Sequence, residues 1–247
     1  MIKDDRKHHY LKALFVGHLG LGDHVILHGA VKRFANLYES VHVPVKDHNK
    51  SAVDFMCKKM PNVYTVGIQD ENDLGELLSL YRNDDGLDVI KSGYRDTDSW
   101  NVLTFENRYI FDQHFYTQLG LDFQLSFDWD VPDGENSQQI ISMLDPKCDF
   151  CFVHDDPSRG YNIKLDTNLT VVKNSVRADT FFDYLGLIRK AKEIHCMDSS
   201  LALIIDRSDI PALNPDSTQK LFLHRYLRAS EGAATYQKNW TIIHKQI

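Results

Sequence analysis

The run Gly17-His-Leu-Gly-Leu-Gly-Asp-His24 sets one carboxylate and two imidazoles among three glycines. Asp23 would expose a charged, chemically useful group at the mouth of a cleft beyond a strand, with His18 and His24 on its flanks. Gly20 and Gly22 would let a ligand approach the backbone, and a helix beginning there would attract anions. No Gly-Lys-Ser/Thr follows, which excludes a Walker A loop. The glycines at 17, 20 and 22 lack the close first pair of the dinucleotide fingerprint. The same residues would also serve a plain strand-to-helix turn, with Asp23 as a helix cap.

Two further runs have chemistry suited to phosphate. Cys196-Met-Asp-Ser-Ser200 precedes the apolar run Leu201–Ile205, so Asp198, Ser199 and Ser200 would stand at a helix N-terminus. Hydroxyls and backbone N–H groups there suit a diphosphate, although Ser and Asp are also ordinary N-caps. His154-Asp-Asp-Pro-Ser-Arg-Gly160 offers Arg159 between Ser158 and Gly160, a cationic loop able to cover a phosphate. Pro157 and Gly160 equally suit a surface turn. Asp96-Thr-Asp98 and Asp128-Trp-Asp130 have the form of carboxylate pairs that hold Mg²⁺ or Mn²⁺, a pattern that chance supplies in a chain with 35 acidic residues. Cys148-x-x-Cys151 has no second pair, and no His-Glu-x-x-His occurs, so no metal site is expected.

The elements that must carry these runs alternate. Strands are expected at 13–16, 40–45, 63–68 and 87–90, with helices over 25–38, 49–60 and 73–81. Pro44 is unusual inside a strand. Residues 92–132 break the rhythm, apart from a helix over 111–119 and an irregular stretch over 121–131. A helix over 137–144 restarts it, followed by strands at 149–154, 169–172 and 193–197 and helices over 179–192 and 200–206. A later apolar run covers 220–227. Strands separated by helices imply βαβ units, so the fold expected is α/β with parallel sheets in two Rossmann-like halves. The expected division is 1–135, 136–228 and a tail 229–247 that packs back on the first half.

The balance of 28 Lys+Arg against 35 Asp+Glu gives net −7, which argues against a nucleic-acid binder. No apolar run approaches the ~20 residues of a transmembrane segment, and residues 1–9 lack an apolar signal region, so a cytoplasmic location is expected. Four cysteines are too few for a disulfide framework. The acceptor patterns Asn168-Leu-Thr and Asn239-Trp-Thr are read as chance matches.

The order of these motifs resembles a GT-B glycosyltransferase, most closely the heptosyltransferases of glycosyltransferase family 9. The residues that carry the likeness are Leu19-Gly-Leu-Gly-Asp23, the apolar helix opening at Val25, and Pro61-Asn-Val-Tyr-Thr-Val66. It resumes over 179–211 with Asp198-Ser-Ser200, a turn also similar to that of fucosyltransferase-like GT-B proteins. The resemblance implies an inverting, metal-independent transfer from a nucleotide-diphosphate sugar to a glycan or glycolipid acceptor. It gives Asp23 the role of base. Donor binding falls to His154, Ser158, Arg159, Gly160, Asp198, Ser199 and Ser200, with no other cofactor. The family's serine- and lysine-containing loop is replaced here by 154–160, which leaves ADP-, GDP-, UDP- and dTDP-sugars open. Two other readings are a metal-dependent GT-A enzyme using Asp128 and Asp130, and a silent nucleotide-sugar or glycan-binding module.

Overall fold

A computed structural model describes residues 12–69, 75, 77, 86–94, 111–144, 146–175, 178–210, 218–226 and 234–244. The chain divides into two compact units between Val131 and Pro132.

The first unit holds a parallel sheet of β1 (Lys12–Val16), β2 (Ser40–Lys46), β3 (Val63–Ile68) and β4 (Leu87–Lys91), in the order β3-β2-β1-β4. Residues 13–16 are buried without alternation, as expected of a central parallel strand covered on both faces. Pro44 is accommodated because β1 pairs with β2 only as far as His42, so beyond it no N–H is required on that side. Helix α1 (Leu21–Ala35) begins four residues before the expected start and takes Gly22, Asp23 and His24 into its first turn. Gly29 brings α1 against the 3-10 turn Phe123–Phe127, where a Cβ would lie 1.8 Å from the Leu125 carbonyl oxygen. Helix α2 is short (Lys50–Met56), and α3 runs over Phe111–Leu119 as expected. Most of the helix expected over 73–81, and the pair Asp96 and Asp98, lie outside the described residues.

The second unit has β5 (Phe150–His154), β6 (Thr170–Lys173), β7 (Glu193–Met197), β8 (Lys220–Arg225) and β9 (Trp240–His244), all parallel in the order β6-β5-β7-β8-β9. Helix α4 (Ser137–Leu144) matches its expected range. The helix expected over 179–192 is instead a capping-box turn begun by Thr180 and a single helical turn, α5 (Leu185–Ile188). Helix α6 covers Ser200–Arg207. Part of the expected tail belongs to this sheet. Residues 240–244 add β9 to this sheet, and the buried Asp206 carboxylate accepts from the backbone N–H groups of Gln237 and Lys238 and from Trp240 Nε1 at 2.9–3.0 Å. One hydrogen-bonded strand edge, against β8, and a charged anchor outweigh what composition alone suggests for that stretch. No helix among the described residues is long and apolar enough to cross a membrane.

Candidate active-site edges

In open parallel sheets, ligands bind outside the carboxyl ends of the strands, where the strand order reverses. In the first unit that point lies between β1 and β4, and in the second between β5 and β7. The runs 17–24, 154–160 and 198–200 all leave strands at these two points.

At the first edge, Gly20 is the N-cap of α1 and makes no side-chain cap bond, while its carbonyl accepts from the N–H groups of Asp23 and His24 at 3.0 and 3.1 Å. Asp23 is half-buried, and its carboxylate folds over Gly20: a Cβ at position 20 would sit 2.7 Å from Asp23 Oδ2. The helix N-terminus favours the negative charge there. His18 is tied to the segment after β4. Its Nε2–H donates to the Gly93 carbonyl at 2.7 Å, and its ring meets Tyr94 and Phe115 edge-on. Gly93 has φ +87°, and a Cβ there would lie 2.7 Å from the His18 ring, so glycine is required. The Tyr94 hydroxyl also donates to the Gly17 carbonyl at 3.1 Å. His18 is therefore a fastener across the strand-order reversal. His24 is buried, and burial lowers its pKa to about 4, so it is a neutral core imidazole.

At the second edge, His154 ends β5, buried and edge-on to Phe181 at 5.3 Å. Burial lowers its pKa, against the opposing pull of Asn174, Asp155 and Asp156. Residues 156–161 form a closed loop in which Asp156 and Tyr161 exchange backbone hydrogen bonds of 2.9 Å around the turn Pro157–Arg159. Ser158 is the middle residue of that turn, and Gly160 closes it at φ +77°. Arg159 is 67 % exposed and 3.5 Å from Asp156. Asp198 points inward instead of to the edge. Its Oδ1 accepts from the Tyr236 hydroxyl at 2.7 Å, and Oδ2 lies 4.0 Å from Arg225 Nε. Burial, then Asp198, hold the Tyr236 phenol well above its ordinary pKa, so it stays a donor. Ser199 is the N-cap of α6, yet its side chain makes no cap bond and its buried hydroxyl has no hydrogen-bond partner among the described residues. Ser200 opens the helix, partly exposed.

Arg225 was not singled out in the sequence. It is the last residue of β8, with a side chain only 16 % exposed, at the same edge as Ser199. Its signal is a cation at the carboxyl end of a strand, visible only once β8 is placed. The carboxylates of Asp128 and Asp130 both pair with Lys32, at 2.9 and 3.4 Å, and Asp130 lies 3.7 Å from His28. Among the described residues, no three His, Cys, Asp or Glu side chains converge as a metal site would need.

No protein-family model matches this chain, and no curated protein matches it. Solved structures do. A glycosyltransferase family 9 protein from Veillonella parvula matches at TM-score 0.56 and 11 % identity, over 96 % of this chain and 87 % of that one. The fold is GT-B. A second match is the iron-containing dodecameric glycosyltransferase TibC from enterotoxigenic E. coli, at TM-score 0.50 and 11 % identity, covering 93 % of this chain and 61 % of that one. In this GT-B chain the two units supply one edge with a carboxylate and one with hydroxyls and arginines.

Proposed function

We propose that this protein is an inverting glycosyltransferase that moves a sugar from a nucleoside-diphosphate donor to a hydroxyl of a glycan or glycolipid acceptor. The observation that carries the proposal is the GT-B fold, matched over 96 % of the chain, with Asp23 at the head of α1 beyond β1. The acceptor oxygen attacks the anomeric carbon as the bond from that carbon to the diphosphate breaks. Its proton passes to Asp23, and the nucleoside diphosphate leaves with the bonding electrons. The leaving charge falls to the second edge, with the N-terminus of α6, Ser199, Ser200 and the cations Arg225 and Arg159 as its candidate partners. His154 and Asp198, both buried, support that edge from within, and Gly160 closes the loop that carries Arg159. The reaction as written draws on no metal. The pairing of Asp128 and Asp130 with Lys32 favours it over a metal-dependent GT-A mechanism.

The test is release of nucleoside diphosphate from ADP-, GDP-, UDP- and dTDP-sugars, with and without EDTA. Release that survives EDTA and is lost in Asp23→Ala is the expected result. Full-rate release by Asp23→Ala removes Asp23 as base, and loss in EDTA restores the GT-A reading. No release from any donor, with binding retained, is the behaviour of a silent module.

A further inference from the structure

The faces of the second sheet differ. Phe150, Phe152, Ile194, Cys196, Leu221 and Leu223 alternate onto one face and are all buried apolar residues. The other face carries a line of polar side chains along the β7–β8 seam. His195 Nδ1 is 3.1 Å from His224 Nε2, and His224 Nδ1 is 2.8 Å from the Tyr226 hydroxyl. At the other end, His195 Nε2 makes no hydrogen bond among the described residues but faces Glu193 Oε2 at 3.6 Å, a charge contact; the second Glu193 oxygen accepts from Lys220 at 3.2 Å. The His195 ring stacks on Phe222 at 4.3 Å and 5°. His195 and His224 are 5 % and 1 % exposed, and the proposed reaction uses neither.

Each neutral imidazole has one donor and one acceptor nitrogen, so the chain of bonds has a direction. Burial lowers the pKa of both rings, that of His224 to about 4, which keeps them neutral. Glu193 presents oxygens that only accept. Its end of the line therefore calls for a proton on His195 Nε2, which leaves His195 Nδ1 as acceptor. His224 must then donate through Nε2 and accept at Nδ1. Among the described residues, the donor that fills Nδ1 is then the Tyr226 O–H. The opposite direction would aim a bare nitrogen at a carboxylate.

Tyr226 is the residue just past β8, partly exposed, and packs on the apolar cluster of Cys151, Val153, Ile163 and Met197. Met197 pairs with His224, so Tyr226 and Ser199 each stand two residues past the same register position, at the carboxyl edge. We infer that Glu193, acting through His195 and His224, turns the Tyr226 proton inward and leaves its oxygen as an acceptor for a hydroxyl or N–H of the nucleotide-sugar, but not for a phosphate oxygen. The identity of that ligand rests on the proposed function; the direction of the hydrogen bonds does not. Tyr226 contacts the ligand, and Glu193, His195 and His224 are positioning residues.

Histidine-selective ¹⁵N NMR reads the direction. Both His195 and His224 are expected as Nε2–H tautomers at neutral pH. Glu193→Gln, whose amide can donate to His195 Nε2, is expected to move protons to Nδ1. Nδ1–H tautomers in the wild type, or a folded Glu193→Gln with unchanged tautomers, overturns the inference. If Glu193→Gln does not fold, Tyr226→Phe decides. Loss of the O–H donor shifts the bare Nδ1 signal of His224 downfield, and an unmoved signal overturns the inference. The ligand half is read by thermal shift with ADP-glucose, GDP-mannose, UDP-glucose and dTDP-glucose. A sugar nucleotide that stabilises the wild type should stabilise Tyr226→Phe less, and an equal shift overturns the contact. Binding of none of the four overturns the donor reading and the contact with it, while the tautomers still decide the direction.

Discussion

The turns after β1 and β7 occupy equivalent places, each leaving a parallel strand for a helix next to a reversal of strand order, and each contains an aspartate. In the first, Asp23 lies inside the first helical turn, half-buried and folded over a glycine. In the second, Asp198 precedes the helix, buried and bonded to Tyr236. The first edge has a carboxylate at the helix head, while the second turns its carboxylate inward and leaves Ser199 and Ser200 there. Position relative to the helix N-terminus decides the difference. A residue in the first turn can reach back over the cap, whereas one before the cap continues the strand inward. An edge with a carboxylate at its head suits proton removal, and one without it suits a diphosphate.

That contrast breaks most visibly on exchange of each carboxylate for its amide. Asp23→Asn is expected to lower kcat by roughly 10²- to 10⁴-fold, the usual worth of a general base, with little change in urea midpoint. Asp198→Asn is expected to act on stability instead. It weakens a buried charge-assisted bond to Tyr236, at about 1–3 kcal/mol in a urea melt. Reversal of these two outcomes would exchange the roles assigned to the edges.

Stability also depends on pH. His24 and His28 in the first unit and His224 in the second are lowered from the ordinary 6.5 to about 4 by burial. The unfolded chain then binds more protons than the folded one between those values. Stability is therefore full above about pH 6.5 and declines as pH falls towards 4. Urea midpoints at pH 7.5 and 5.0 check this, and a higher midpoint at pH 5.0 contradicts it. The smallest stability change is expected for Ser199→Ala. An N-cap serine usually contributes about 0.5–2 kcal/mol, but this hydroxyl caps nothing, so the melt should move by less than about 0.5 kcal/mol.

The alternation of strands and helices was legible because β3, β7, α3 and α4 carry clean apolar periods, and each was placed to its end residues. The stretch 179–192 reads as one helix because its apolar spacing is helical. Instead the Thr180–Asp183 capping box and the packing of Gly186 against Ser137, where a Cβ would lie 2.3 Å from Oγ, hold it to short turns. That is tertiary packing overriding local propensity. At the site, the glycine turn and the Ser199–Ser200 helix start were legible from residue type. The inward turn of His24, His154 and Asp198 was not, because burial depends on partners distant in sequence, such as Tyr236. Arg225 and the His195–His224 line needed the register of β7 against β8, which no local pattern encodes.

The central claim is that the second edge holds the donor diphosphate and the first does not. Isothermal titration of ADP, GDP, UDP and dTDP into wild type, the double variant Ser199→Ala with Ser200→Ala, and Asp23→Asn tests it most directly. The account predicts one nucleotide that binds the wild type and Asp23→Asn alike and the serine variant at least tenfold more weakly. Equal binding by the serine variant, or weakened binding by Asp23→Asn alone, would contradict it.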